Sequence, residues 1–197
     1  MTRLNLGILI SGRGSNMESL FNASIDEAYP AKPRLVIANK EGAPGLETAK
    51  RFGVEAALIP HKQYKDRRAF EEALHETLTQ HEIDIIALAG FMRVLTPWFV
   101  GKWEGRMVNI HPSLLPAYPG LDTHARAIEA GDSEAGCTVH WVSEGVDEGA
   151  IIGQSRVPVK TGDTPDSLAA RVLIAEHELY PRALADACRM ITAPSAR

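Results

Sequence analysis

Asn109, His111 and Asp147 are the side chains of this chain best suited to chemistry at a carbonyl carbon. Asn109 and His111 alternate at the end of the apolar run Val108-Asn109-Ile110-His111, so in an extended strand both leave on one side. Asp147 lies downstream in Val146-Asp147-Glu148-Gly149. An amide N–H stabilises negative charge growing on a carbonyl oxygen, by on the order of 3 kcal/mol in a well-formed site. A protonated imidazole adds a second donor or shuttles a proton between nitrogens. A carboxylate beside the ring favours the imidazolium and fixes its orientation. The set therefore suits attack of an uncharged amine on a carbonyl through a tetrahedral oxyanion. Ser113 lacks the Gly-x-Ser-x-Gly elbow of an activated serine, so direct transfer without a covalent intermediate is the simpler chemistry. Each residue also has an ordinary reading: a loop histidine on a neighbouring carbonyl, a strand-end asparagine, a turn aspartate.

The second chemical feature is Ser11-Gly12-Arg13-Gly14-Ser15-Asn16, placed between an apolar run and a helical pattern. Its glycines let backbone amides approach a ligand, and the first helical turn offers unpaired N–H groups at a positive dipole end. Ser15 and Asn16 add side-chain donors. The competing reading is a tight turn in which Ser15 caps the helix and Glu18 completes a capping box. Met17 replaces the third glycine of a dinucleotide fingerprint, and Asn39 ends the second strand where an acidic residue would hold a ribose. A phosphate monoester fits better than a nicotinamide dinucleotide.

Composition excludes several classes. The 197 residues suit one domain, with 45% hydrophobic and 23% charged residues. A net charge of -4 without a basic cluster argues against nucleic acid as a partner. No apolar run has membrane-spanning length, and the N-terminus enters a strand too early for a signal peptide. Cys137 and Cys188, far apart in sequence, suit reduced thiols in a cytoplasmic setting. None of the seven histidines stands at metal-ligand spacing, so no metal is expected.

The elements that must position these groups alternate. Strands are predicted at Leu4–Ile10, Arg34–Ala38, Val54–Ile59, Ile83–Ala89, Met107–Ile110 and Ile151–Val159, the last limited in its pairing by Pro158. Cys137–Val142 alternates and is read as belonging to an antiparallel edge region. Helices are predicted from Met17, over Pro44–Arg51 with Gly53 after its end, and over Asp66–His81 with Phe70, Leu74 and Leu78 on one face. A long final helix starts at Thr164-Pro165, buries Leu168, Val172, Ala175 and Leu179, and kinks or ends at Pro181. The last few residues are read as a loose tail. This is a doubly wound, mostly parallel α/β sheet with helices on both faces, Rossmann-like, in one domain over 1–197. The glycine loop, Gly90-Phe91-Met92-Arg93 and Asn109-Ile110-His111 all sit at carboxyl ends of strands and are expected to share one crevice. Thr138 and His140 share a strand face and are expected to play at most a supporting part.

Ser11-Gly12-Arg13-Gly14-Ser15-Asn16, Ala89-Gly90-Phe91-Met92-Arg93, Asn109-Ile110-His111-Pro112-Ser113-Leu114-Leu115-Pro116 and Asp147-Glu148-Gly149 resemble, in that order, the phosphoribosylglycinamide formyltransferase family of folate-dependent enzymes. The resemblance runs through Ala175-Glu176-His177 and Tyr180-Pro181. It implies formyl transfer from 10-formyltetrahydrofolate to the amino group of 5′-phosphoribosylglycinamide in purine synthesis, with these two small molecules as the partners. It further implies that Asn109, His111 and Asp147 are catalytic, and that Gly14, Ser15, Asn16 and Glu176 hold the nucleotide, within a phosphate-binding part reaching to about residue 100. The folate would meet Arg67, Met92, Arg93, Val94, Leu95, Asn109 and the loop Ser143, Glu144, Gly145, Val146 and Asp147. Met92, Val94 and Leu95 would wall a flat pterin, and Arg67 would meet a carboxylate. Leu173 cannot hydrogen-bond a nucleotide through its side chain. A monomer and a homodimer are equally compatible with the sequence. The alternatives are a formyltetrahydrofolate hydrolase, whose preceding regulatory domain has no room here, and a nucleotide-binding module without catalysis. Methionyl-tRNA formyltransferases would add a C-terminal domain and a basic face.

Overall fold

The computed structural model describes residues 3–193; the first two residues and the expected loose tail at 194–197 lie outside the described residues. Seven strands, β1 (Leu4–Ile10), β2 (Ala31–Ala38), β3 (Glu55–Leu58), β4 (Ile85–Leu88), β5 (Met107–His111), β6 (Glu134–Trp141) and β7 (Ile151–Pro158), form one sheet in the order β3-β2-β1-β4-β5-β6-β7. β1 to β5 are mutually parallel, and β6 runs antiparallel to both of its neighbours. The mostly parallel α/β sheet read from the sequence is the sheet that forms.

Six helices cover it: α1 (Ser15–Ser24), α2 (Gly45–Arg51), α3 (Arg67–Gln80), α4 (Pro97–Lys102), α5 (Thr123–Glu129) and α6 (Pro165–Thr192). Right-handed crossovers put helices on opposite faces when the chain reverses its direction across a sheet. One face packs Met17, Leu20 and Phe21 of α1 with Leu168, Val172 and Leu184 of α6. The other packs Phe70, Leu74 and Leu78 of α3 with Phe99 of α4. Every residue of β4 is buried between these layers, which is why Ile85–Leu88 reads as an unbroken apolar run. The reversal falls between β1 and β4, so their carboxyl ends part to open a crevice.

Local chemistry sets the helix starts. The Asp66 carboxylate accepts the Ala69 N–H at 2.8 Å to begin α3. Thr164 and Ser167 cap α6 reciprocally, with Pro165 at its first position. α6 nevertheless continues through Pro181 rather than ending there. Its burial against the sheet outweighs one lost helical hydrogen bond, and Tyr180 is fully buried with its hydroxyl donating to the Leu88 carbonyl at 2.9 Å.

β6 and β7 make the antiparallel edge region expected around Cys137–Val142, with β7 pairing along the outer side of β6 and leaving most of β6 buried. β7 takes the edge, where Pro158 does no harm. α4 and α5 escape the periodicity reading because six and seven residues are too few to show an apolar stripe. The Thr96-Pro97 start of α4 was a readable signal. Both cysteines are free and buried, and no described helix is long and apolar enough to cross a membrane.

Gly136 in β6 has no room for a side chain: a Cβ would stand 2.0 Å from the Ser155 carbonyl oxygen and 2.7 Å from Leu114 Cδ2. Gly136→Ala is expected to destabilise the protein by about 3 kcal/mol. Urea unfolding measures it, and an unchanged midpoint would show that β6 and β7 shift apart freely.

Candidate active site

A cavity of about 250 Å³ opens at the parting of β1 and β4, lined by residues 11–16, Lys40, Ala89, Gly90 and Met92. Gly14 precedes α1 in the left-handed region at φ 69°, and the first helical bond runs from Glu18 N–H to the Gly14 carbonyl at 3.2 Å. Ser15 is therefore the first helical residue and not the cap, which overturns the capping-box reading. With no side chain covering the helix start, the N–H groups before Glu18 have no helical partner. Arg13 and Lys40 bring positive charge to the same cavity. Lys40 was missed in the sequence, although it stands two residues beyond the carboxyl end of β2.

Asn16 and Glu176 form one unit. The Asn16 Nδ2 donates to Glu176 Oε2 at 2.6 Å, while the buried Asn16 Oδ1 has no partner among the described residues. The side-chain donor expected of Asn16 is thus engaged by Glu176, and its free atom is an acceptor. Glu176 is only 7% exposed, which removes the solvated-face reading of it. Burial pushes its carboxyl above the ordinary range, and the Asn16 hydrogen bond opposes that only in part. Ser11 ties this loop to the next: its hydroxyl donates to Asn39 Oδ1 at 2.7 Å and accepts the Met92 N–H at 2.8 Å.

The second cluster stands at the end of β5. Antiparallel pairing sets His140 opposite Asn109 and Thr138 opposite His111, so all four side chains share a face. The loop after Trp141 then returns Asp147 to that face; Gly149 permits this, since a Cβ there would lie 1.6 Å from the Trp141 carbonyl oxygen. Asp147, in the left-handed region at φ 57°, has its Oδ2 3.3 Å from His111 Nδ1 and its Oδ1 3.6 Å from His140 Nε2. The Gly120 N–H donates to Asp147 Oδ2 at 2.9 Å. Burial pushes the Asp147 carboxyl up, but the His140 and Gly120 hydrogen bonds and the charges of both histidines outweigh it. The carboxyl is left below its ordinary value.

The ring of His111 is oriented by its other nitrogen. Nε2–H donates to the Tyr118 carbonyl at 2.9 Å, so Nδ1 is the nitrogen turned toward Asp147. The Asn109 amide lies 3.2 Å from His140 Nε2, whose Nδ1–H is held by the Trp141 carbonyl at 2.9 Å. His140 thus belongs to the cluster, a closer place than the supporting part read from sequence. Thr138 holds the neighbouring loop, accepting the Leu115 N–H at 3.1 Å and donating to the Ser113 carbonyl at 2.7 Å. No β5 residue lines the cavity, and the cluster stands at the neighbouring strand end, where Leu88 pairs with Asn109.

The 92–95 segment continues from the cavity wall at Met92. Met92 and Val94 are exposed at 66% and 54%, as is Val146 at 49%, leaving apolar surface uncovered. Leu95 departs from the pterin-wall expectation: its side chain is buried in the core against α3 and α4. Arg93 lies over the Phe70 ring at 5.3 Å. Arg67 is exposed at the start of α3 and has no hydrogen-bond partner among the described residues. Ser143 and Gly145 are half-buried and Glu144 exposed in the loop leading to Asp147. The described residues hold no group of three or more His, Cys, Asp and Glu side chains arranged for a metal.

The doubly wound sheet thus carries an amide, two imidazoles and a carboxylate at its carboxyl edge. Residues 4–184 match the formyl transferase family. The chain is 49% identical over 181 residues to the trifunctional purine biosynthetic protein adenosine-3 of Chironomus tentans, covering 91% of this chain but 13% of that protein. It is 42% identical over 178 residues to the phosphoribosylglycinamide formyltransferase of Escherichia coli (strain K12), covering 90% of this chain and 84% of that one. The crystal structure of phosphoribosylglycinamide formyltransferase from Brucella melitensis superposes with a TM-score of 0.91 at 48% identity, covering 95% and 96% of the two chains. This chain belongs to the formyl transferase family.

Glu176 gives a pH test. Because its folded carboxyl is raised, its charge costs stability as pH rises through the folded value, and costs nothing below the ordinary glutamate range. Glu176→Gln keeps an oxygen for Asn16 and is expected to raise Tm at about pH 8 while leaving it unchanged at about pH 4. Equal shifts at both pH values would exclude buried charge as the cause.

Proposed function

We propose that this chain transfers the formyl group of 10-formyltetrahydrofolate to the amino group of 5′-phosphoribosylglycinamide, a step of purine synthesis, in the cytoplasm. The observation that carries the reading is the meeting of Asn109, His111 and Asp147 at the end of β5, with Asp147 Oδ2 3.3 Å from His111 Nδ1. The adjoining cavity supports it, since glycine-loop amides, Arg13 and Lys40 suit a phosphate monoester. The Glu176 carboxylate and Asn16 Oδ1 are acceptors suited to ribose hydroxyls or the glycinamide amine. Exposed Met92, Val94 and Val146 offer apolar cover to a flat pterin beside Asn109.

The amine nitrogen attacks the formyl carbon, forming a new C–N bond and an oxyanion. Asn109 Nδ2–H and the protonated Nδ1 of His111 stabilise that oxyanion. Asp147, with Oδ2 3.3 Å from His111 Nδ1, keeps its negative charge beside the ring. The attacking nitrogen loses a proton and N10 of the folate gains one, with His111 and Asp147 as the carriers at hand. The bond from carbon to N10 then breaks, releasing tetrahydrofolate and the formylated nucleotide.

Purified protein with 10-formyltetrahydrofolate should give tetrahydrofolate absorbance only when the nucleotide is added. Equal product without it would establish a hydrolase, and none in either case a binding module. Asp147→Asn is expected to lower turnover by about 10³- to 10⁴-fold with nucleotide affinity intact; near-normal turnover would remove Asp147 from the mechanism. Lys40→Ala should raise KM for the nucleotide about tenfold at unchanged kcat, and an unchanged KM would place the phosphate elsewhere.

A further inference from the structure

The backbone of residues 118–120 grips both halves of the His111–Asp147 pair. The Tyr118 carbonyl accepts from His111 Nε2–H at 2.9 Å, and the Gly120 N–H donates to Asp147 Oδ2 at 2.9 Å. Yet Tyr118 sits in the left-handed region at φ 55°, which a bulky L residue adopts only when its surroundings impose it. The Ser113 hydroxyl meets the Ala117 carbonyl at 2.6 Å and the Tyr118 carbonyl at 3.2 Å, and two contacts hold the Tyr118 side chain. Its hydroxyl donates to Asp132 Oδ2 at 2.6 Å, and the Arg126 guanidinium lies 5.2 Å from its ring centre. Arg126 also donates to the Pro119 carbonyl at 2.7 Å and the Leu121 carbonyl at 3.2 Å, bridging across the same segment. Hydrogen bonding to Asp132 raises the Tyr118 hydroxyl above its ordinary value, as a retained O–H···carboxylate bond requires.

We propose that Tyr118, Asp132 and Arg126 are positioning residues, a bracket built on α5 and the turn after it, that holds the 118–120 backbone so that His111 keeps Nδ1 turned toward Asp147. The proposal rests on the formyl-transfer reading for its kinetic consequence, but not for its structural one. None of the three side chains needs to touch substrate. Without the hydroxyl, Tyr118 relaxes toward ordinary backbone angles, its carbonyl leaves Nε2, and the ring turns.

The test uses the full chain. Tyr118→Phe, which keeps the ring under Arg126, should lower kcat about tenfold with nucleotide KM unchanged, as a small misplacement of a reacting group does. Asp132→Ala should lose as much, and the double variant no more than either single, because both remove one bond. Asp132→Asn, which keeps an acceptor oxygen, should recover most of kcat. Wild-type kcat in Tyr118→Phe, multiplied losses in the double variant, or a loss confined to KM would each overturn the bracket. NMR of ring-labelled histidine reads the same arrangement without turnover. The His111 imidazole signals should move in Tyr118→Phe and stay in place in Asp132→Asn; unmoved signals in Tyr118→Phe overturn the proposal even if the wild type transfers no formyl group.

Discussion

The partly enclosed contact of His111 with the Asp147 carboxylate is the interaction on which the arrangement of this protein's active edge depends. Taking a carboxylate out of water is costly unless other groups answer its charge. Here the answer comes from three places in the chain: the His111 ring, the His140 ring and the Gly120 N–H. Asp147 ends below its ordinary carboxyl value despite burial, so these partners outweigh the loss of solvent. The ring is satisfied in turn by the Tyr118 carbonyl, which decides which nitrogen faces the carboxylate. Removing any one partner leaves a charge or a donor unanswered in a place water reaches poorly.

The sheet makes that pair possible. β5 is the last of the parallel strands, so its carboxyl end lies beside the parting between β1 and β4. β6 returns antiparallel and sets His140 and Thr138 opposite Asn109 and His111, side chains no parallel neighbour would present in that register. The same turn of topology delivers the loop carrying Asp147. The protein thus combines a phosphate-type cavity from its parallel half with a carbonyl-type cluster from its antiparallel half. Ser11, bonded to both Asn39 and Met92, joins the floor of the first to the segment that leads to the second.

Stability is spent at the cavity. Glu176 is buried with a raised carboxyl, answered by only one Asn16 hydrogen bond, and Asn16 keeps an unpartnered oxygen. A core built for stability alone would hold neither feature. Asn16 lines a cavity whose other walls include the glycine loop, Arg13 and Lys40, and Glu176 is bonded to it.

Much of this was legible in the residues. The alternation of Asn109 with His111, the apolar β4, the amphipathic α3 with its Asp66 cap and the Thr164-Pro165 start of α6 follow from periods and caps that are local properties of a chain. Residue chemistry drew Asp147 into the site, and motif resemblance drew in Glu176. Pairwise geometry was not legible. Whether Ser15 or Gly14 begins α1 turned on one left-handed residue, and whether Leu95 meets a ligand or the core turned on packing against α3 and α4. His140 entered the cluster through strand register, and Tyr118 through a carbonyl that any residue type could have supplied. The sequence by itself determined which elements form and which side chains carry chemistry, because hydrophobic period, capping and side-chain type act over a few residues. Only the tertiary structure decided which nitrogen of His111 faces Asp147 and which donor of Asn16 is already taken, because hydrogen-bond partners distant in the chain are chosen by the packing of the whole sheet.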